Sequence, residues 1–138
     1  GDPPMPRLMM RPEQVVRLQA SGMTVGAHTM SHPILARLDA KSARAEIGGS
    51  REQLEAMLRG RVDLFAYPNG VPGRDYTAEH VEMARRCGFK AAVSTAWGVA
   101  RRESDPYQLP RFTPWDRSRT RFGARLALNL TRPHHPTV

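Results

Sequence analysis

The stretch from Leu64 to Thr95 reads LFAYPNGVPGRDYTAEHVEMARRCGFKAAVST, and its hydrophobic spacing changes character twice. Leu64 to Tyr67 is a short apolar run that suits a buried strand. Pro68-Asn69-Gly70-Val71-Pro72-Gly73 is a turn-rich loop that can continue neither strand nor helix. Thr77 can cap a helix carrying Val81, Met83 and Ala84, Gly88 stops it, and Phe89 to Thr95 is strand-like again. Strands alternating with a helix over short links imply parallel pairing in a sheet covered by helices.

The rhythm extends in both directions. Pro12 opens a helix near residues 12 to 21, with Val15 and Leu18 at helical spacing and Gly22 as its stop. Met23 to Ala27 suits a short strand that leads directly into His28. Asp39 caps a helix whose apolar face is Ala43, Ile47, Leu54, Met57 and Leu58. Its wet face is Arg44, Glu46, Arg51, Glu52, Glu55 and Arg59. Gly48 and Gly49 are expected to interrupt this helix, each costing about 1 kcal/mol relative to alanine, and Gly60 to end it. Residues 96 to 108 form a charged connection, Leu109 to Phe112 a last strand, and Ser118 caps a helix with Phe122, Leu126, Ala127 and Leu130. The chain thus divides into an extended lead-in or cloning remnant (residues 1–11), one α/β domain (12–130) and a loose tail (131–138). Three or four strands are too few for a closed barrel, so the unit reads as part of a larger α/β architecture.

Length and charge narrow the function classes. The 138 residues suffice for one cored domain and not for two. The +8 net charge is carried by arginine, since Lys41 and Lys90 are the only lysines. Residues 101 to 138 hold eight arginines against three acids, but without the aromatic spacing of a stacking platform, so no nucleic-acid partner is expected. The single cysteine, Cys87, excludes an internal disulfide framework and a thiolate metal cluster. No apolar run reaches membrane-span length and no secretory signal is visible, which leaves the bacterial cell envelope and the cytoplasm both open.

His28-Thr29-Met30-Ser31-His32-Pro33 is the stretch richest in chemistry. It follows a strand end, where α/β proteins place their sites. Zinc and similar ions favour imidazole nitrogen, and an H-x-x-x-H spacing can aim two rings at one ion. Two ligands do not complete a catalytic centre, and hydrogen bonding of both rings to loop carbonyls is the competing explanation.

With Gly26-Ala27 before the pair, Ser31-His32-Pro33 within it and Leu35 and Leu38 after it, Val25 to Leu38 resembles the histidine motif of the polysaccharide deacetylase family. This NodB-like group is also called carbohydrate esterase family four. Phe65-Ala66-Tyr67-Pro68-Asn69-Gly70 is similar to the family's proline-containing substrate loop. Ala84-Arg85-Arg86-Cys87-Gly88-Phe89-Lys90-Ala91-Ala92-Val93 resembles the helix-turn-strand that follows it, and Leu109-Pro110-Arg111-Phe112 its closing strand. The likeness covers residues 12 to 128 and corresponds to the C-terminal part of such a domain.

The resemblance implies an incomplete (β/α) barrel-like fold with mostly parallel strands flanked by helices. It also implies hydrolysis of N-acetyl, sometimes O-acetyl, groups on a polysaccharide or glycan. His28 and His32 are then ligands of a divalent metal, foremost zinc. In the family, an N-terminal Thr-Phe-Asp-Asp-Gly-type motif adds the third ligand and the general base, and a late histidine acts as acid. This sequence has no Asp-Asp pair and no Leu-x-x-His motif. The expectation is a fragment or natural truncation, inactive as it stands, with a non-catalytic carbohydrate-binding or scaffolding remnant as the alternative.

Ala66 stands where many members carry an arginine, which makes Arg111 the candidate to orient the base. A backbone N–H near Asn69 is the candidate oxyanion donor, and Gly70 and Pro68 line the sugar's approach. Tyr67, Trp97 and Trp115 are candidate sugar-stacking walls, with core packing as the competing role for the two tryptophans. His80 is expected on a helix surface, His134 and His135 in the exposed tail, and Asp75, Asp105 and Asp116 in polar loops without a metal role. An open sheet edge would favour a homo-oligomer.

Overall fold

The computed structural model describes residues 9–112, 115–131 and 137–138. The lead-in residues 1–8, and His134 and His135, lie outside them. Among the described residues the elements run α1 (Pro12–Ala20), α2 (Ala40–Leu58), β1 (Leu64–Ala66), α3 (Ala78–Arg86), β2 (Ala91–Val93) and α4 (Arg119–Thr131), with a 3-10 turn at Leu35–Arg37 before α2.

β1 and β2 pair in parallel, with Phe65 opposite Ala92. Two further segments reach the sheet as single parallel bridges, Ala27 to Phe65 and Leu109 to Val93. The expected strands at Met23 to Ala27 and Leu109 to Phe112 therefore contract to one bridging residue each. Pro110 has no N–H to extend its ladder. Around Ala27 the backbone pairs with β1 through Ala27 N to Leu64 O (2.8 Å) and Ala66 N to Ala27 O (2.9 Å). β2 is shorter than Phe89 to Thr95 because Phe89 N and Lys90 N donate to Ala84 O and Asp63 O, outside the ladder.

The side chains of Phe65, Tyr67, Tyr76, Phe89, Leu35, Ile47 and Val62 are buried at the centre. α2 covers them with Ala43, Ile47 and Leu58, and α3 with Val81 and Ala84. Burying such aliphatic and aromatic side chains contributes about 1.5–3 kcal/mol each against water.

α2 runs unbroken through Gly48 and Gly49, contrary to expectation. A side chain at Gly48 would meet Cys87 Sγ at 3.4 Å, and one at Gly49 would meet Met30 Cγ at 3.6 Å. α3 and the histidine loop pack on the helix there, and tertiary packing overrides the low propensity of the two glycines. The helix ends on Arg59 in the left-handed region (φ 50°), one residue before Gly60.

His80 corrects a second expectation, being only 5% exposed. From the first turn of α3 its Nδ1 accepts from Thr77 N at 3.1 Å, taking the role that Glu or Gln usually plays in a capping box. Burial holds its imidazole below the ordinary histidine pKa.

Candidate functional site

The four parallel segments end on the same side of the sheet, and each is followed by residues of interest. Ala27 precedes His28, β1 precedes the Tyr67 to Gly70 loop, β2 precedes Ser94 and Thr95, and Leu109 precedes Arg111. The carboxyl ends of parallel strands are where open α/β sheets and barrels place ligands, because loops converge there over a rigid base.

His28 and His32 come together. Their ring centroids lie 4.8 Å apart, edge to face, and both residues are solvent-exposed. His28 Nδ1 stands 2.7 Å from the carbonyl oxygen of Ala66. A carbonyl only accepts, so in the neutral ring Nδ1 carries the proton and Nε2 keeps its lone pair. Metal-ligating histidines are commonly held this way, their second nitrogen bonded to a backbone carbonyl.

The backbone between the two rings is strained into place. Thr29 (φ 64°) and His32 (φ 60°) both occupy the left-handed region, at a cost of about 1–2 kcal/mol per residue for side chains of L configuration. Compensating bonds surround them. Thr29 Oγ1 donates to His28 O at 2.5 Å and accepts from His32 N at 3.1 Å. Glu46 of α2 accepts from Met30 N (2.7 Å), Ser31 N (2.9 Å) and Ser31 Oγ (2.6 Å). Burial raises the Glu46 carboxyl's pKa, but the bonds from Ser31 and Met30 outweigh it and hold the group below its ordinary value. Sequence reasoning placed Glu46 on the wet face of its helix. The separation of 16 positions between Met30 and Glu46 leaves no local pattern to mark the contact.

The neighbouring loop is equally defined. Asn69 (φ 57°) and Gly70 (φ 72°) are both left-handed, and Gly70 N donates to Pro68 O at 2.6 Å. Thr95 ties the loop to the end of β2, its N donating to Gly70 O (2.8 Å) and its Oγ1 to Asn69 O (2.7 Å). Asn69 is exposed, whereas Pro68 and Gly70 are buried.

Tyr67 is not a sugar wall. It is 1% exposed, stacks on Tyr76 at 3.9 Å between centroids, and donates its hydroxyl to Tyr107 O at 3.0 Å. Burial drives its phenol pKa upward. Trp97 packs edge-on against Phe112, with the Arg125 guanidinium over its ring. Trp115 is 79% exposed. Arg111 is exposed and its backbone N donates to Ala96 O. Its side chain makes no bond to either histidine among the described residues.

Asp75 is buried, accepting from Val71 N (2.9 Å) and pairing with Arg74 (3.0 Å). Asp105 bonds Tyr107 N and Gln108 Nε2, and Asp116 pairs with Arg125. All three carboxylates are engaged away from the histidine pair. Among the described residues no group of three His, Cys, Asp or Glu side chains is arranged to hold a metal ion. The donor set therefore fits a divalent metal in part, as two imidazoles that need a further ligand.

The family model described as polysaccharide deacetylase matches residues 6–92. Two proteins of Bacillus subtilis (strain 168) are similar in sequence. YxkH, named as a candidate polysaccharide deacetylase, is 26% identical over 99 residues, 72% of this chain and 34% of the relative. The peptidoglycan-N-acetylmuramic acid deacetylase PdaC is 34% identical over 64 residues, 46% of this chain and 14% of the relative. The chain thus spans a third or less of either relative.

Among solved structures, the Streptococcus pyogenes deacetylase PplD in complex with acetate superposes with a TM-score of 0.69 at 25% identity, over 75% of this chain and 44% of that one. IcaB from Ammonifex degensii shares the fold, with a TM-score of 0.71 at 22% identity over 88% of this chain and 53% of that one.

Proposed function

The chain belongs to the polysaccharide deacetylase family, and from that premise we propose that it carries the histidine half of a metal-dependent site that removes N-acetyl groups from a glycan. The carrying observation is the His28 and His32 pair at the strand ends, with His28 Nδ1 bonded to Ala66 O and the Asn69-Gly70 turn on the adjoining loop.

His28 and His32 would hold a divalent metal, foremost zinc, His28 through the Nε2 left free by the contact of its Nδ1 with Ala66 O. Such an ion, when bound, supplies Lewis acidity toward the acetyl carbonyl and toward water. The chain's own residues do the positioning. The Ala66 carbonyl fixes the ring plane and tautomer of His28. The Asn69 amide donates to the oxyanion that develops as the acetyl carbon becomes tetrahedral. Gly70, which has no side chain, lets the loop pack close to Thr95. Arg111, on the segment beyond β2, orients a carboxylate base. No third ligand joins the pair among the described residues, and both that ligand and the base are assigned to a further segment without which the site does not turn over.

A calorimetric zinc titration of the chain beside a His28→Ala, His32→Ala variant tests the ligand roles. Acetate release from N-acetylated chitooligosaccharides, with and without a supplied carboxylate-bearing segment, tests the reaction. Release that needs both the segment and the two histidines supports the proposal. A folded, complete protein that binds zinc and releases no acetate from any N-acetylated glycan would falsify it. The absence of a third ligand among the described residues favours one other function, a non-catalytic carbohydrate-binding module. Glycan affinity indifferent to chelator would select it.

A further inference from the structure

We infer that Glu46 is a positioning residue for the histidine pair, acting from α2 as a clamp on the loop that carries both rings; this rests on the metal-site proposal above. Glu46 touches neither imidazole. Its Oε2 accepts from Met30 N and Ser31 N, and its Oε1 from the Ser31 hydroxyl. These two residues lie between Thr29 and His32, the two left-handed positions of the loop.

The physical argument is one of offsetting costs. Two non-glycine residues at positive φ cost a few kcal/mol together, and an exposed loop would relax out of that conformation unless something outweighed it. Three hydrogen bonds, two from backbone amides and one from a hydroxyl, oppose that relaxation together. All three converge on one carboxylate anchored in a 19-residue helix. Gly49, three residues along α2, faces the Met30 side chain, so loop and helix are neighbours there as well. Relaxation of Thr29 and His32 would swing the His32 ring away from His28, whose own position is fixed separately by Ala66 O. The clamp thus sets the distance between the two rings.

The role requires acceptor geometry more than charge. In a Glu46→Gln variant the amide oxygen can still accept from Met30 N and Ser31 N. Its NH2 can donate to the Ser31 hydroxyl, whose oxygen also accepts. Glu46→Ala removes all three partners.

The experiment compares the full chain with Glu46→Ala and Glu46→Gln by amide hydrogen exchange and HN–Hα couplings, and by zinc titration. Glu46→Ala should lose protection at Met30 and Ser31 and move Thr29 and His32 out of positive φ, with the helical circular dichroism retained. Its zinc affinity should fall by about 10–100-fold, the range typical of residues that support metal ligands. Glu46→Gln should restore both readouts to near the parent. Unchanged couplings and exchange in folded Glu46→Ala would overturn the clamp. So would a Glu46→Gln variant as impaired as Glu46→Ala, because charge would then be the working quantity. If the parent binds no zinc while the couplings still collapse in Glu46→Ala, the clamp stands and the two histidines do not hold zinc by themselves.

Discussion

The Nδ1 atom of His28 lies 2.7 Å from the carbonyl oxygen of Ala66, which joins the first residue after one extended segment to the last residue of β1. Backbone pairing of Ala27 with β1 delivers the ring to that oxygen, so the sheet itself decides which nitrogen of His28 faces outward.

That geometry makes the histidine pair separable from the fold. Both residues are exposed, and their combined replacement by alanine should change stability by about 1 kcal/mol or less. Zinc binding should disappear. Thermal denaturation beside calorimetry checks both, and a large loss of stability would show that the pair serves the core.

Gly70 should be intolerant of substitution for a backbone reason. At φ +72° a side chain there would meet Tyr67 O at 3.0 Å and Thr95 N at 3.1 Å. Handedness alone costs about 1–2 kcal/mol for alanine, and the contacts add to it. Gly70→Ala should lower stability by about 2 kcal/mol in chemical denaturation and break the bond from Thr95 N to Gly70 O. Exchange of the Thr95 amide reports that loss.

Tyr67→Phe distinguishes packing from sugar binding. The variant keeps the stack on Tyr76 and loses the hydroxyl bond to Tyr107 O. A loss of about 1 kcal/mol in stability is expected, with zinc titration unchanged. A stability identical to the parent would mean that the hydroxyl bond contributes nothing.

His80 sets a pH dependence with a defined sign. Burial lowers its pKa in the folded state from the ordinary 6.5. Above that value both states are neutral and the residue's contribution is fully present. As pH falls through 6.5 the unfolded chain takes up a proton before the folded one, and stability is lost until the folded pKa is passed. Denaturation midpoints between pH 7 and 5 should fall for the parent and fall less steeply for His80→Gln. Parallel slopes would contradict this.

Much of the architecture was legible from local patterns. The Asp39 cap with its bond to Ser42 N, the Pro12 start of α1, and the alternation of β1, α3 and β2 all follow from periodicity and turn chemistry. The deacetylase resemblance likewise rested on His28, His32 and the Pro68 to Gly70 turn, short motifs whose residues are neighbours in the chain. What failed depended on partners distant in sequence. Gly48 and Gly49 read as helix breakers until Cys87 and Met30 are seen against them. His80 read as a surface residue, Tyr67 as a sugar wall and Glu46 as a solvated charge.

The amino-acid sequence by itself determined which segments are helical, the order of β1, α3 and β2, and that two imidazoles follow an extended segment, because these depend on spacing within one or two turns of chain. Only the tertiary structure decided the tautomer of His28, the left-handed loop between the rings and the role of Glu46. Each requires a donor and an acceptor brought within 3 Å across a sequence separation of 15 to 38 positions, a proximity that packing creates and linear spacing does not encode.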